Sequence, residues 1–438
     1  MKPEEHILKT PYAEIGRKMH LLLHTGQMLM ESGADTNRIV RDIKRAAAYM
    51  GIPHQKIHLH IMVTTIMLNV SDGDHSYTNF RKCRQPGVNM TVISALSKLS
   101  WRALEENYTL DQYESELQRI HNLKRHYSPA LSTLAAGLAC AGFAKLFGCD
   151  WPAFISTIIC ASLGFWLRII CNKWEINPYA GISIAAFAAT IFAYLTQFII
   201  TSTTPWHPMI ACTLFIVPGI PLINAVDDML NNYIIAGTTR TINTLLIVAS
   251  MTFGIIIAIH IANVNDFTSL NIVPDSIYLS HAIAAAIAAT GFSIIFNVPP
   301  RLLPATALGG IISVCLRNFF AFELGMSQVI GSFIGAAVVG LITMQAIHKL
   351  HTPAHVLSIP SIIPLIPGVL LYRLLFSIIN IKELDTAALL AACQNGVTAI
   401  LIISSIAIGV TIPNLFAHRY LDKAKKIHLK ELLQERNK

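Results

Sequence analysis

From Ser128 onward the chain carries one apolar run of about 20 residues after another, each long enough to cross the hydrocarbon core of a bilayer as a helix. Such runs are expected near residues 128–147, 151–171, 179–201, 208–230 and 234–262, and again near 277–296, 303–320, 325–346, 357–380 and 389–413. A segment in lipid must satisfy its own backbone hydrogen bonds, and at this length only a helix does so. The charges agree with that placement. Residues 128–417 hold 9 Lys+Arg and 9 Asp+Glu, whereas residues 1–127 hold 17 and 13 and residues 418–438 hold 7 and 3. The fold class expected is therefore an α-helical integral membrane protein of about ten transmembrane helices, with a small α+β domain before them. Its parts are the domain at 1–127, five helices in 128–262, a polar loop at 263–276, five helices in 277–417 and a basic tail at 418–438. The net charge of +8 flanks the apolar block and forms no basic face interleaved with aromatics, which speaks against nucleic acid as a partner.

The two sets of five read as copies. Pro218-Gly219 recurs as Pro367-Gly368 at an offset of 149 residues. The same ungapped shift carries Gly142-Phe143 onto Gly291-Phe292, Phe147 onto Phe296, Leu167-Arg168 onto Leu316-Arg317, Ser183 onto Ser332 and Asn231 onto Asn380. Apolar coincidences are common in such a sequence, but paired landmarks held in one register are not, and they indicate an internal repeat. An odd number of crossings per copy makes the repeats inverted, provided that the fourth segment spans and is not re-entrant. Inverted repeats are a feature of secondary transporters, whose sites lie near the midplane between the copies.

Basic residues in the short loops set an orientation. With the N-terminal domain inside, Lys124, Arg125, Arg168, Lys173, Arg240, Arg301, Lys349 and the tail fall on the cytoplasmic side, and Lys145, Arg317 and Lys382 on the outer side. Both termini are then cytoplasmic. The first 30 residues contain Glu4, Glu5, Glu14, Arg17 and Lys18 and no apolar stretch ending in small residues, so no cleavable signal is expected.

Proline and glycine in mid-span free backbone groups that lipid cannot satisfy, so such breaks face protein or a watery cavity. FIVPGIPLINAVDD at 215–228 breaks the fourth segment and IPSIIPLIPGVLLYR at 359–373 breaks the ninth at the equivalent place. Corresponding interruptions in two halves point to a transport site; the bland reading is a pair of structural kinks that pack small residues between helices. Asp227 and Asp228 follow the first break, at a depth where they would serve either coupling, with Asp228 as proton carrier or ammonium partner, or a structural ion pair with Arg240. Arg373 follows the second and is the better candidate for a carboxylate ligand, because guanidinium binds carboxylate in a bidentate way. Arg168 and Arg317 are expected to snorkel to the headgroups. Gln394 and Asn395 are expected to face the bundle interior, against another helix or a solute.

In the N-terminal domain the spacing predicts two helices between Tyr12 and Met50 with a break at Ser32-Gly33-Ala34, then a small antiparallel sheet from His58 to Arg81 turning at Asp72-Gly73-Asp74, then helices over 88–106 and 110–123. His20 and His24 lie one helical turn apart, and His58 and His60 share a strand face. No second element is apparent to complete a metal site, and neither a C-x-x-C nor an H-E-x-x-H occurs. The eight scattered cysteines read as small buried hydrophobes. No catalytic constellation is present, so an enzyme is not expected, and neither is a cofactor or a metal.

Over essentially its full length the chain resembles the threonine/serine exporter family of inner-membrane transporters. The resemblance is carried by Gly26, Ser32-Gly33-Ala34 and Arg38, by VPGIPLINAVDD with Gly237 and Arg240, and by IPLIPGVLLYR. Position by position, Pro218, Gly219, Pro221, Asn224, Asp228, Gly237 and Arg240 match the pattern of the first half, and Pro364, Pro367, Gly368 and Tyr372 that of the second. At Asp227 the family pattern is more often basic. The resemblance implies proton-driven export of small amino acids such as threonine and serine, with a split, two-subunit version similar to a succinate exporter. One arginine and two aspartates near the breaks suit a zwitterion better than a dicarboxylate, which wants two cations. The alternatives are a dicarboxylate exporter and a membrane-anchored regulatory or hydrolase-like domain. The partners expected are a small-molecule solute and membrane lipid, and a homo-oligomer is compatible with both.

Overall fold

The computed structural model describes residues 11–62, 64–71, 75–84, 87–263, 278–350, 352–379 and 386–436. The expected turn at Asp72-Gly73-Asp74, most of the polar loop and Lys382 lie outside these residues. Among them the chain is mostly helical, with one three-stranded sheet, and it divides into two compact units. The first comprises Met1–Arg125, Asp227–Thr239 and Leu415–Lys438; the second comprises His126–Val226 and Arg240–Asn414.

The first unit begins with α1 (Pro11–Glu31) and α2 (Thr36–Tyr49). The turn between them is the Ser32-Gly33-Ala34 break. Gly33 has φ +84°, and its amide and that of Ala34 bond back to Met30 and Leu29, which closes α1 with a left-handed cap. A Cβ at Gly33 would lie 2.8 Å from the Gly87 carbonyl, so both the conformation and the space require glycine. Asp35 then caps α2, its carboxylate accepting the Arg38 amide at 2.7 Å.

Strands β1 (Ile57–Met62), β2 (Thr65–Ser71) and β3 (Ser76–Lys82) pair antiparallel in that order. Ile57 faces Val70, Leu59 faces Leu68 and Ile61 faces Ile66, so one face is apolar and turned to the core, while His58 and His60 are exposed on the other. Gly26 lets Ile43 of α2 and Ile66 of β2 close on α1. Helices α3 (Met90–Glu105) and α4 (Leu110–His121) follow, started by Asn89 and by a capping box of Thr109 and Gln112. Buried Tyr113 stacks on Tyr49 at 5.6 Å and meets the Thr25 hydroxyl at 3.0 Å.

The second unit is built from α5 (Pro129–Leu146), α6 (Trp151–Lys173), α7 (Pro178–Thr196), α8 (His207–Ala211), most of α9 (Gly219–Leu230) and α10 (Ile234–Ala262). It continues with α11 (Leu279–Ile295), α12 (Leu303–Asn318), α13 (Gln328–Leu350), α14 (Ala354–Ile362), α15 (Gly368–Ile379) and most of α16 (Thr386–Arg436). Seven helical segments among the described residues are long and apolar enough to cross a membrane. His207–Ile216 and Gly219–Leu230 form a further pair bent by 56°, and Leu279–Ile295 and Ala354–Leu365 are apolar but shorter. Helix α16 runs on unbroken, so the basic tail continues the last apolar run.

The 149-residue shift holds at the level of elements and of contacts. It carries α9 onto α15 end to end, and the 3-10 turn Leu214–Ile216 onto Ile363–Leu365. Gly142 of α5 packs on Ala284 and Ala288 of α11, and Gly291 of α11 on Ala135 and Ala139 of α5; each contact is the image of the other. Small residues on both helices let the backbones approach closely, the usual device where lipid offers no hydrophobic drive for association.

Candidate functional site

The two breaks are built alike. A 3-10 turn ends at Val217 (φ −55°, ψ 119°) in one and at Ile366 (φ −67°, ψ 127°) in the other, because Pro218 and Pro367 drive the preceding residue out of the helical region and supply no N–H. The Gly219 amide turns back to the Val217 carbonyl at 2.8 Å, and the Gly368 amide to Ile366 at 2.9 Å. Helices α9 and α15 start immediately afterwards.

These breaks meet. A Cβ on Gly219 would touch Ile366 and Ile363, and one on Gly368 would touch Leu214 and Val217, again a reciprocal pair under the shift. Phe143 of α5 and Phe292 of α11 stand edge to face beside them, ring centroids 5.9 Å apart. The narrow gap enclosed here is lined by Phe143, Leu214, Val217 and Gly219 and by their four repeat equivalents Phe292, Ile363, Ile366 and Gly368. It has room for about one water, and its walls are apolar.

Of the residues singled out from sequence, Pro218, Gly219, Pro367 and Gly368 form this crossing, and Pro364 lies buried in the second 3-10 turn. Pro221 is in the first turn of α9. Asn224 is buried on α9, and its repeat equivalent is Arg373, half-buried on α15. The polar residues thus sit at matched positions beyond the two breaks. Tyr372 is also on α15, with its side chain outside the described residues. Arg240 is buried near the start of α10.

Asp227 and Asp228, both buried, lie in the last turn of α9, within the first unit. Asp228 accepts the Thr36 amide at 2.8 Å on one oxygen and the Thr36 hydroxyl at 2.9 Å on the other. Thr36 is the first residue of α2, so this carboxylate satisfies an amide that has no partner within the helix and lies at the positive end of its dipole. The Ser32-to-Arg38 motif and the VDD motif, 192 residues apart, are therefore one structural feature.

Sequence reasoning missed Thr36, although its place after a capping Asp marks it as a helix start. It also missed Phe143 and Phe292 as gap residues; their signal was the repeated Gly-Phe pair, taken only as a landmark. Gln394 is exposed, contrary to expectation, because it falls on the stripe of Leu390, Val397 and Leu401, all exposed, at helical spacing; Asn395 is half-buried. In the first unit, α4 brings His121 beside the α1 pair, with ring centroids 5.6 Å from His24, itself 6.4 Å from His20. Burial, with Arg81 and the two neighbouring imidazoles, lowers the His24 pKa to about 4, so its ring is neutral at pH 7.

Comparison with known proteins covers both halves of the chain. Residues 20–262 match the family described as "Putative threonine/serine exporter", and residues 281–416 match "Threonine/Serine exporter, ThrE". The "Probable succinate transporter subunit YjjP" of Escherichia coli (strain K12) is 29% identical over 244 residues, 55% of this chain and 93% of its own length. The protein of the same name from Klebsiella aerogenes is 26% identical over 239 residues, 54% of this chain and 91% of its own length. An uncharacterized protein of Haemophilus influenzae is 19% identical over 399 residues, 91% of this chain and 94% of its own length. No solved structure matches.

Proposed function

Since the chain belongs to the threonine/serine exporter family, and is thus a multi-pass membrane transporter and not an enzyme, we propose that it exports small neutral amino acids such as threonine and serine across the inner membrane by proton antiport. The observation that carries this reading is the reciprocal packing of the two breaks, Gly219 on Ile363 and Ile366 and Gly368 on Leu214 and Val217. Two interrupted helices meeting where both copies of a repeat contribute equally is the arrangement expected of a midplane transport site.

In this reading the bent α8–α9 pair is the fourth crossing, α11 the sixth and α14 with α15 the ninth, which makes ten crossings in two inverted sets of five. Both termini are then cytoplasmic. The gap is too small for an amino acid, so the walls at Leu214, Val217, Ile363 and Ile366 must part for a solute to enter. Arg373 serves as the carboxylate ligand and Asn224 as a hydrogen-bonding partner, with the first-turn amides of α9 and α15 favouring negative charge between them. Pro218, Pro221, Pro364 and Pro367 hold the breaks open, and Tyr372 lies one residue before Arg373. Asp227, Asp228 and Arg240 are assigned to coupling or ion pairing; with both oxygens bonded to Thr36, Asp228 acts as the anchor of α9.

A second reading, export of a dicarboxylate, is favoured by one observation, the likeness of the N-terminal 55% to a protein named as a succinate transporter subunit. Counterflow of labelled threonine into proteoliposomes separates the two. Competition by unlabelled serine but not succinate, with Arg373→Ala impaired, is the expected outcome; competition by succinate alone moves the protein to the dicarboxylate reading.

A further inference from the structure

At the start of α11, His281 is buried to 2% exposure. Its Nδ1 lies 2.6 Å from the Asn318 side-chain nitrogen at the end of α12. The orientation of that amide is determined by the next residue: Arg317 donates from Nε at 3.2 Å and from Nη2 at 3.0 Å to the Asn318 oxygen. A guanidinium has donors only, so the oxygen of Asn318 must face Arg317 and its NH2 must face His281. Nδ1 of His281 is then the acceptor and carries no proton. The remaining N–H is on Nε2, which has no hydrogen-bond partner among the described residues.

This chain of three groups has two arrangements. When a proton binds Nδ1, that nitrogen becomes a donor and can no longer accept from Asn318. The amide must rotate to present its oxygen, and the two bonds from Arg317 to that oxygen break. Helix α11 packs on α5, α12, α14 and the 3-10 turn Ile363–Leu365. The charged groups facing His281 from them are Lys145 on α5 and Arg317 on α12, while α14 carries one titratable side chain, His355. A protonated His281 therefore stands beside two cations, Lys145 and the released guanidinium of Arg317, which favours separation of α11 from α12. A π turn, Phe319–Glu323, follows Asn318 directly, and its Glu323 accepts from the Tyr278 hydroxyl just ahead of α11 at 3.1 Å, so the same end of both helices is tied at two points. The first copy of the repeat has Ser132 and Ile169 where the second has His281 and Asn318, so the shared scaffold does not need this pair.

We propose that His281 is a proton-binding residue of the exporter, with Asn318 and Arg317 as positioning residues that convert protonation into movement of α12. The inference rests on the antiport reading above, whose orientation puts Arg317 and the start of α11 on the outer side, where the driving proton enters. An ionisable side chain buried inside a membrane bundle is a common mark of a proton path, and imidazole is the side chain that changes charge nearest to neutral pH.

The test uses the full-length protein in proteoliposomes, comparing wild type with His281→Gln and Asn318→Ala. In the same vesicles, counterflow of threonine, serine or succinate is set against accumulation driven by a pH gradient. Wild type is expected to respond to the gradient, and in His281→Gln gradient-driven accumulation falls to that of protein-free vesicles while counterflow persists. In Asn318→Ala the midpoint of the pH profile moves upward, because protonation no longer requires an amide to rotate. Gradient-driven accumulation that survives His281→Gln overturns the inference and leaves the antiport reading standing; a wild type that counterflows without responding to the gradient removes both. A direct readout needs no transport at all. In protein labelled with 15N-histidine, the signals lost in His281→Gln should show the Nε2–H tautomer at about pH 8 and imidazolium only once the pH falls well below the ordinary histidine range, and a ring found as the Nδ1–H tautomer overturns the assignment.

Discussion

Asp228 is fully buried, and Thr36 supplies a donor to each of its oxygens. A carboxylate in that position is costly to leave without its partners, so Thr36→Val, which keeps the shape and removes the hydroxyl, should destabilise the protein by about 1–3 kcal/mol. Asp228→Asn should cost a similar amount. Because both changes break one interaction, the double variant should cost clearly less than the two single effects added together, and additivity in thermal unfolding would show that the contact contributes little. The glycines at the centre of the repeat make a second residue-level case. At Gly142 and Gly291 a new methyl would meet backbone atoms at 2.8 and 2.6 Å, which cannot swing away as a side chain can. Gly142→Ala and Gly291→Ala should each cost about 1–3 kcal/mol. At Gly219 the nearest obstacle is the flexible end of Ile366, so Gly219→Ala should leave the melting temperature close to wild type while slowing threonine counterflow.

Helices α1 and α4 are joined in part through His24 and His121, and that packing should register in the pH dependence of stability. The folded-state pKa of His24 is lowered to about 4 from an ordinary value of 6.5, chiefly by burial. The unfolded chain therefore binds the proton more readily between those values. The contribution is fully present above pH 6.5 and is lost as pH falls towards 4. With the ring only half-buried the effect is about 1 kcal/mol, and His24→Gln should flatten the melting-temperature profile in that window without changing it at pH 8. Most elements of this unit were legible beforehand, since α1 and α2, the sheet and α3 and α4 follow from periodicity, turn residues and caps that act within a few positions. The breaks at Pro218 and Pro367 were legible for the same reason. What could not be read was which distant pieces meet. Thr36 and Asp228 are separated by 192 residues, and no local preference links a helix start to an acidic pair that far away. The gap residues Leu214 and Ile363 look like any other apolar residues until the two 3-10 turns are brought face to face.

At the scale of the molecule, the ungapped shift of 149 residues makes the sharpest demand. If each copy crosses five times, equivalent positions must lie on opposite sides of the membrane, and a single pair of positions is enough to decide it. Lys173 follows the second crossing and is exposed; its equivalent Phe322 follows the seventh and is 47% exposed. In a cysteine-free background, Lys173→Cys should be protected from a membrane-impermeant maleimide added to intact cells and labelled once the membrane is permeabilised. Phe322→Cys should react in intact cells. Labelling of both from the same side would mean an even number of crossings between them and the loss of the inverted arrangement, most simply because the bent α8–α9 pair enters and leaves on one face. The reciprocal contacts of Gly142 with Gly291 and of Gly219 with Gly368 would then need another origin. Labelling from opposite sides would instead fit a two-fold axis lying in the membrane plane, because such an axis exchanges the two faces of the bilayer as it exchanges the two copies, and alternating access needs the same exchange of faces around a fixed site.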